Sequence, residues 1–138
     1  MRAKRWIAVL LMAVICVMSL SGCTGTKIPE GMTKEDIEKA AKEVLDLVHE
    51  KDYQAIWDRS DTTFQAAVSA EALKEAVEGQ IGSYGAFVEY TQQAIGGSHN
   101  AKAGDFGVAV ITAKYENGKA VYTLSFDVDY KLAGFYVK

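Results

Sequence analysis

The residue best placed to do chemistry is Cys23. It closes the tetrapeptide Leu20-Ser21-Gly22-Cys23, directly after an uncharged apolar run from Ile7 to Leu20 that follows Arg2, Lys4 and Arg5. A positive start, a greasy core and small residues at the cut are the three parts of a secretory signal. A cysteine just beyond them reads as a lipidation and cleavage site. The other reactive side chains are scattered. His49 and His99 are alone in their neighbourhoods, whereas a metal site wants several ligands at fitting spacing, so helix-end or surface roles and no metal are expected. Gly79, Gly82 and Gly85 recur every third residue but follow a predicted helix, opposite to the phosphate-binding context, and read as a helix stop and turn. Ser60 and Ser69 fall where a helix surface and a cap are expected and have no base beside them. The residues themselves therefore assign no catalytic or cofactor-binding group.

The signal resembles that of bacterial lipoproteins, in which the cysteine thiol is alkylated by a diacylglyceryl group and the chain is cut just before it. That resemblance implies a domain anchored through Cys23 on the extracytoplasmic face of the cell membrane, held more firmly by two acyl chains than a single chain would hold it. The competing reading is an uncleaved helix, since residues 6 to 26 carry no charge and about 20 such residues span a bilayer. Its last third is Ser, Gly, Thr and Cys, poor material for hydrocarbon contact.

The full chain carries 15 basic and 18 acidic residues; losing Arg2, Lys4 and Arg5 leaves 12 against 18, a formal charge of −6. That balance argues against nucleic acid and against adhesion to anionic lipid, either of which wants a basic patch. Cys16 leaves with the signal and Cys23 goes to lipid, so no disulfide is expected and one domain must stand on its core alone. Residues 1–22 are read as signal peptide, 23–32 as a lipidated tether and 33–138 as a single domain.

The elements that must position any site fall into a helical half and a strand half. Thr33 and Asp36 resemble a capping box ahead of Ile37, Ala40, Ala41, Val44, Leu45 and Val48 at helical spacing. Lys51-Asp52 interrupts, and Tyr53, Ile56, Trp57 and Phe64 suggest a second, shorter helix. Ser69 caps a third, carrying Leu73, Ala76, Val77 and Ile81 and ended by Gly82 or Gly85. Strand-like patterning begins at Phe87, with a break at Gly96-Gly97-Ser98. Asn117-Gly118 predicts a type I′ hairpin turn. Its register would set Glu116 against Lys119, Ala113 against Tyr122, Ile111 against Leu124 and Ala109 against Phe126. One face is then apolar, and the other, carrying Val110, Thr112, Val121 and Thr123, is mixed. A last strand runs from Leu132 to Val137 after the Asp129-Tyr130-Lys131 turn. The fold class expected is α+β: three N-terminal helices packed on a curled antiparallel sheet of about four strands.

That order, with Lys51-Asp52-Tyr53, Trp57, Phe64, Leu73, Tyr84-Gly85-Ala86-Phe87, Tyr115-Glu116-Asn117-Gly118 and the closing Lys131-Leu132-Ala133-Gly134-Phe135-Tyr136-Val137, resembles domain-of-unknown-function family 3887 over about residues 33 to 138. The resemblance implies a cone-shaped fold like nuclear transport factor 2 and the cystatins, in a family that often occurs in lipoproteins or ahead of a hydrolase domain; no hydrolase domain is expected after Lys138. Cone-shaped relatives include isomerases and dehydratases that use a carboxylate with a tyrosine, which points to Asp58, Asp61, Tyr84, Tyr122 and Tyr136 as groups for an isomerase-like or hydrolase-accessory enzyme. Fold analogy alone does not license that activity.

Aromatic residues are the other candidates. Tyr53, Trp57, Tyr84, Tyr122 and Phe126, with Phe64 and Phe87, are placed to converge between helices and sheet, either as a ligand cleft or as a filled core. In the derived register Tyr122 faces the small Ala113 and would line any opening, with Trp57 mostly core. The reading the sequence supports is a domain that binds a protein partner or a small apolar ligand near the membrane, with no cofactor. The mixed sheet face offers a homodimer contact, and a purely structural assembly subunit is the third reading.

Overall fold

The computed structural model describes residues 27–138; the apolar run, the cut site and Cys23 lie outside them. Helix α1 (Lys34–His49) starts where Thr33 Oγ1 accepts a hydrogen bond from the Asp36 backbone N–H and donates to the Asp36 carboxylate. Its buried stripe is Ile37, Ala40, Ala41, Val44, Leu45 and Val48, the six positions set by the helical spacing. Lys51, at φ 60°, ends the helix, and the Asp52 side chain caps α2 (Tyr53–Asp58) through the Ala55 N–H.

The second helical stretch is two helices rather than one. After α2 the chain makes a parallel bridge between Ser60 and Leu132, in which Asp61 N–H donates to the Leu132 carbonyl and Leu132 N–H to that of Arg59. A residue whose N–H is claimed across the fold cannot bond its own i−4 carbonyl. The chain therefore restarts, with Asp61 capping α3 (Thr62–Ala67). Ser69 caps α4 (Ala70–Ile81), and Gly82 closes it.

The sheet is four-stranded and antiparallel in the order β1 (Phe87–Asn100), β2 (Gly104–Tyr115), β3 (Gly118–Phe126), β4 (Leu132–Val137). Irregularities at Phe87/Glu89, Tyr90/Gln92 and Ser125/Phe126 curl it. The break expected at Gly96-Gly97-Ser98 is absent: β1 runs through it, and Gly97 pairs with Gly107.

The hairpin register is displaced by two residues from the one derived. Ala113 faces Ala120, Ile111 faces Tyr122 and Gly107 faces Phe126, and the turn residues are Glu116-Asn117, neither with positive φ. The cause is long-range. The Glu116 and Asn117 N–H groups donate to the carbonyls of Ala86 and Tyr84, and the Glu116 carboxylate accepts from the Ala86 N–H. The Tyr84 ring lies against Gly118, so that a Cβ there would come within 2.7 Å of it. Because side-chain direction alternates with period two, a two-residue displacement leaves every residue on its predicted face.

The inner face, with Ala109, Ile111, Ala113, Tyr115, Ala120, Tyr122, Leu124 and Phe126, meets the helices in one core. The tether boundary also moves. Ile28 packs on that core, Met32 is buried, and a turn closes from Met32 N–H to the Pro29 carbonyl with Gly31 at φ 87°. The segment read as the end of a tether is thus part of the domain.

Candidate functional site

At one end of the core, small residues make room for a chain of polar side chains. The inner-face pair Ala113–Ala120 lies between Tyr115 and Tyr122, whose hydroxyls are 2.6 Å apart over it. Tyr115 also lies 2.9 Å from Nε2 of His49, the last residue of α1. The imidazole stacks on Phe87 at 4.2 Å and meets Tyr115 edge-on. Tyr90 lies beside both rings, and its buried hydroxyl has no hydrogen-bond partner among the described residues.

Burial sets the charge state of this cluster. It pushes the His49 pKa down against the opposing pull of Asp46, so the ring is neutral at neutral pH. Burial raises Tyr115 and, more strongly, Tyr122, while Tyr53 and Tyr90 are each pushed up to about 12. With His49 accepting, Tyr115 donates to it and accepts from Tyr122; a protonated His49 must donate, which turns Tyr115 toward Tyr122. The phenols stay protonated and offer no phenolate nucleophile near neutrality.

The predicted site residues do not form one cleft. Tyr53 and Tyr122 belong to the buried cluster and Tyr84 packs at its rim, 6.1 Å from the Tyr115 ring. Phe126 is fully buried opposite Gly107, at the other end of the strands. Trp57 is half-buried, its indole N–H donating to the Val68 carbonyl at 2.8 Å. Tyr122, expected to line an opening, has no exposed surface and faces Ile111 rather than the small Ala113. The carboxylate and tyrosine set is dispersed as well. Asp58 accepts from Gln54, Asp61 caps α3, and Tyr136 pairs with Thr123 on the opposite sheet face. Ser60 is buried and donates to the Ile56 carbonyl. His49, Tyr90 and Tyr115 were missed as a group, because their partners lie in separate elements and no spacing rule links them.

The outer face of the sheet carries the other candidate site. Ala94, Val110, Thr123 and Tyr136 form one row across all four strands, and Gly96, Val108, Ser125 and Gly134 form the next. Gln92, Thr112 and Val121 make a third, which Lys138 closes by exchanging backbone hydrogen bonds with Val121, and further charge lies beyond it, at Glu89, Lys114 and Lys119. The helices pack on the inner face. Among the described residues no group of His, Cys, Asp and Glu is arranged to hold a metal, and no helix is long and apolar enough to cross a membrane.

Residues 41–135 match the family model described as "Protein of unknown function (DUF3887)". The chain is similar to the NMR structure of a protein from Ruminococcus gnavus ATCC 29149, with 27% sequence identity and a TM-score of 0.69, over 80% of this chain and 96% of that one. No curated protein matches it.

Proposed function

The chain belongs to the DUF3887 family of proteins of unknown function, and we propose that this member is a lipid-anchored domain of the extracytoplasmic membrane face that acts by binding protein. The anchor rests on Leu20-Ser21-Gly22-Cys23 behind its apolar run, with Cys23 carrying the lipid. The helices against one face of a curled sheet support the cone of the nuclear transport factor 2 kind.

The observation that carries the binding reading is the outer sheet face, where two adjacent rows cross all four strands without a charged residue. Ala94 is exposed on it and Val110, Val121 and Tyr136 are half-buried, and apolar surface shared between neighbouring strands marks protein contacts. A second copy is its first candidate occupant: an isologous contact needs only a self-complementary patch, and anchoring in one membrane raises the local concentration of copies. A small apolar ligand is disfavoured, because Tyr122 and Phe126 fill the interior. Sedimentation equilibrium of the chain from Thr24 onward should show a dimer that Val110→Lys converts to a monomer with unchanged near-ultraviolet circular dichroism. A wild type monomeric at high micromolar concentration overturns the reading.

A further inference from the structure

Gly97 and Gly107 face each other across β1 and β2. A Cβ on Gly97 would lie 2.2 Å from the Lys27 carbonyl oxygen, and one on Gly107 would lie 2.6 Å from Ile37 Cδ1 and 2.8 Å from Met32 Cε. The two glycines thus make a notch in the inner face, and the entering chain fills it. Past the notch, the turn from Pro29 to Met32 and the bond from Thr33 N–H to the Tyr130 hydroxyl hold the segment down. From Lys27 onward the chain has a fixed place on the domain.

Cys23 is four residue steps before Lys27, which span at most about 14 Å when fully extended. The tip of the β1–β2 hairpin lies three residues beyond Gly97, about 10 Å along the strand. Tyr115, by contrast, is eight residues along β2 from Gly107, about 27 Å in the opposite direction. An anchor at Cys23 therefore reaches the bilayer from one end of the molecule only.

We propose that the domain stands on the membrane on its β1–β2 hairpin, with residues 100–104 and Lys27 against the phospholipid headgroups and the Glu116-Asn117 turn, with the His49–Tyr115 end, directed away. This rests on the reading of Cys23 as the lipid anchor. The tip suits such a contact. It is compact, because the Asn100 side-chain oxygen accepts from the Lys102 and Ala103 N–H groups. Lys27 and Lys102 offer ammonium groups to lipid phosphate, while the nearby Asp105 carboxylate is paired with His99. The outer face then stands upright from the membrane plane, open to a neighbour in the same leaflet.

Once Cys16 is removed with the signal and Cys23 is acylated, an introduced cysteine is the mature chain's single free thiol. The lipidated protein carrying Ala103→Cys or Asn117→Cys, each labelled with an environment-sensitive fluorophore, is bound to vesicles of phosphatidylcholine and phosphatidylglycerol containing headgroup spin-labelled lipid. Flotation with the vesicles tests the anchor by itself, and its loss in Cys23→Ala is expected. Among floating samples, quenching should be several-fold stronger at position 103 than at 117. Inserting a Gly-Ser repeat between Thr26 and Lys27 should weaken it. Floating protein that quenches equally at both positions, or more at 117, overturns the orientation and leaves the anchor standing.

Discussion

The hydroxyls of Tyr115 and Tyr122 lie 2.6 Å apart inside the core, and the outer end of that pair is held by His49. Tyr122 has no exposed surface, so its ring is structural and its hydroxyl is one link of a chain. Tyr122→Ala should therefore cost about 3–5 kcal/mol, the usual loss for a truncated core aromatic. Tyr122→Phe, which removes one hydrogen bond, should cost about 0.5–1.5 kcal/mol. Urea denaturation of both variants checks this, and a Tyr122→Ala variant as stable as the wild type would show that the ring does not pack as described.

Stability should fall on mild acidification. His49 has a folded-state pKa below its ordinary 6.5, so the unfolded chain takes up the proton first as pH drops. Its contribution is whole above the unfolded value and is lost as pH falls through the folded one. The urea midpoint should decline below about pH 6.5, and His49→Phe should flatten that part of the profile. A wild-type midpoint unchanged on acidification, or a profile identical in the variant, contradicts the assignment.

The alkaline limb has the opposite sign. Tyr53 and Tyr90 ionise near 12 in the folded protein, against 10 when unfolded. Their contribution is present below 10 and is lost as pH rises from 10 toward 12. A phenolate absorbance titration should show four of the seven tyrosines, Tyr53, Tyr90, Tyr115 and Tyr122, ionising late. All seven titrating together near 10 while the protein stays folded would disprove it.

Two glycines should respond oppositely to alanine. Gly79 lies within α4 with open space around it, so Gly79→Ala should stabilise by about 0.5–1 kcal/mol through helix propensity. Gly97→Ala drives a methyl into the Lys27 carbonyl, a backbone atom that cannot swing aside as a side chain does. It should destabilise and release the segment before Met32 to proteolysis. Thermal melts and limited digestion read both; a neutral Gly97→Ala would mean that the segment does not occupy the notch.

Asp61→Ala should cost about 1 kcal/mol, since the side chain accepts the Phe64 N–H at the start of α3. Asp61→Asn should restore most of it. Loss of stability in both variants alike would assign the effect to charge rather than to the cap.

What the sequence by itself determined is local and periodic. The capping of α1 by Thr33, its six-residue buried stripe, the Ser69 cap, the Leu132–Val137 strand and the division of β2 and β3 into an apolar and a mixed face were all legible. Caps act within four residues, and face assignment needs only a period. Tertiary structure decided whatever depends on partners far along the chain. Leu132 splits the second helix by taking the Asp61 N–H, and the Tyr84–Phe87 segment sets the hairpin register by taking the N–H groups of its turn. His49 and Tyr115, 66 residues apart, meet only once α1 crosses the sheet. Gly97, which looked like part of a break, pairs with Gly107 and becomes a seat for the chain's entry, because Lys27 packs against the one and Met32 and Ile37 against the other. A hydrogen bond that competes with a local one is invisible to local rules, and here such bonds placed the helix boundary, the register and the buried polar chain.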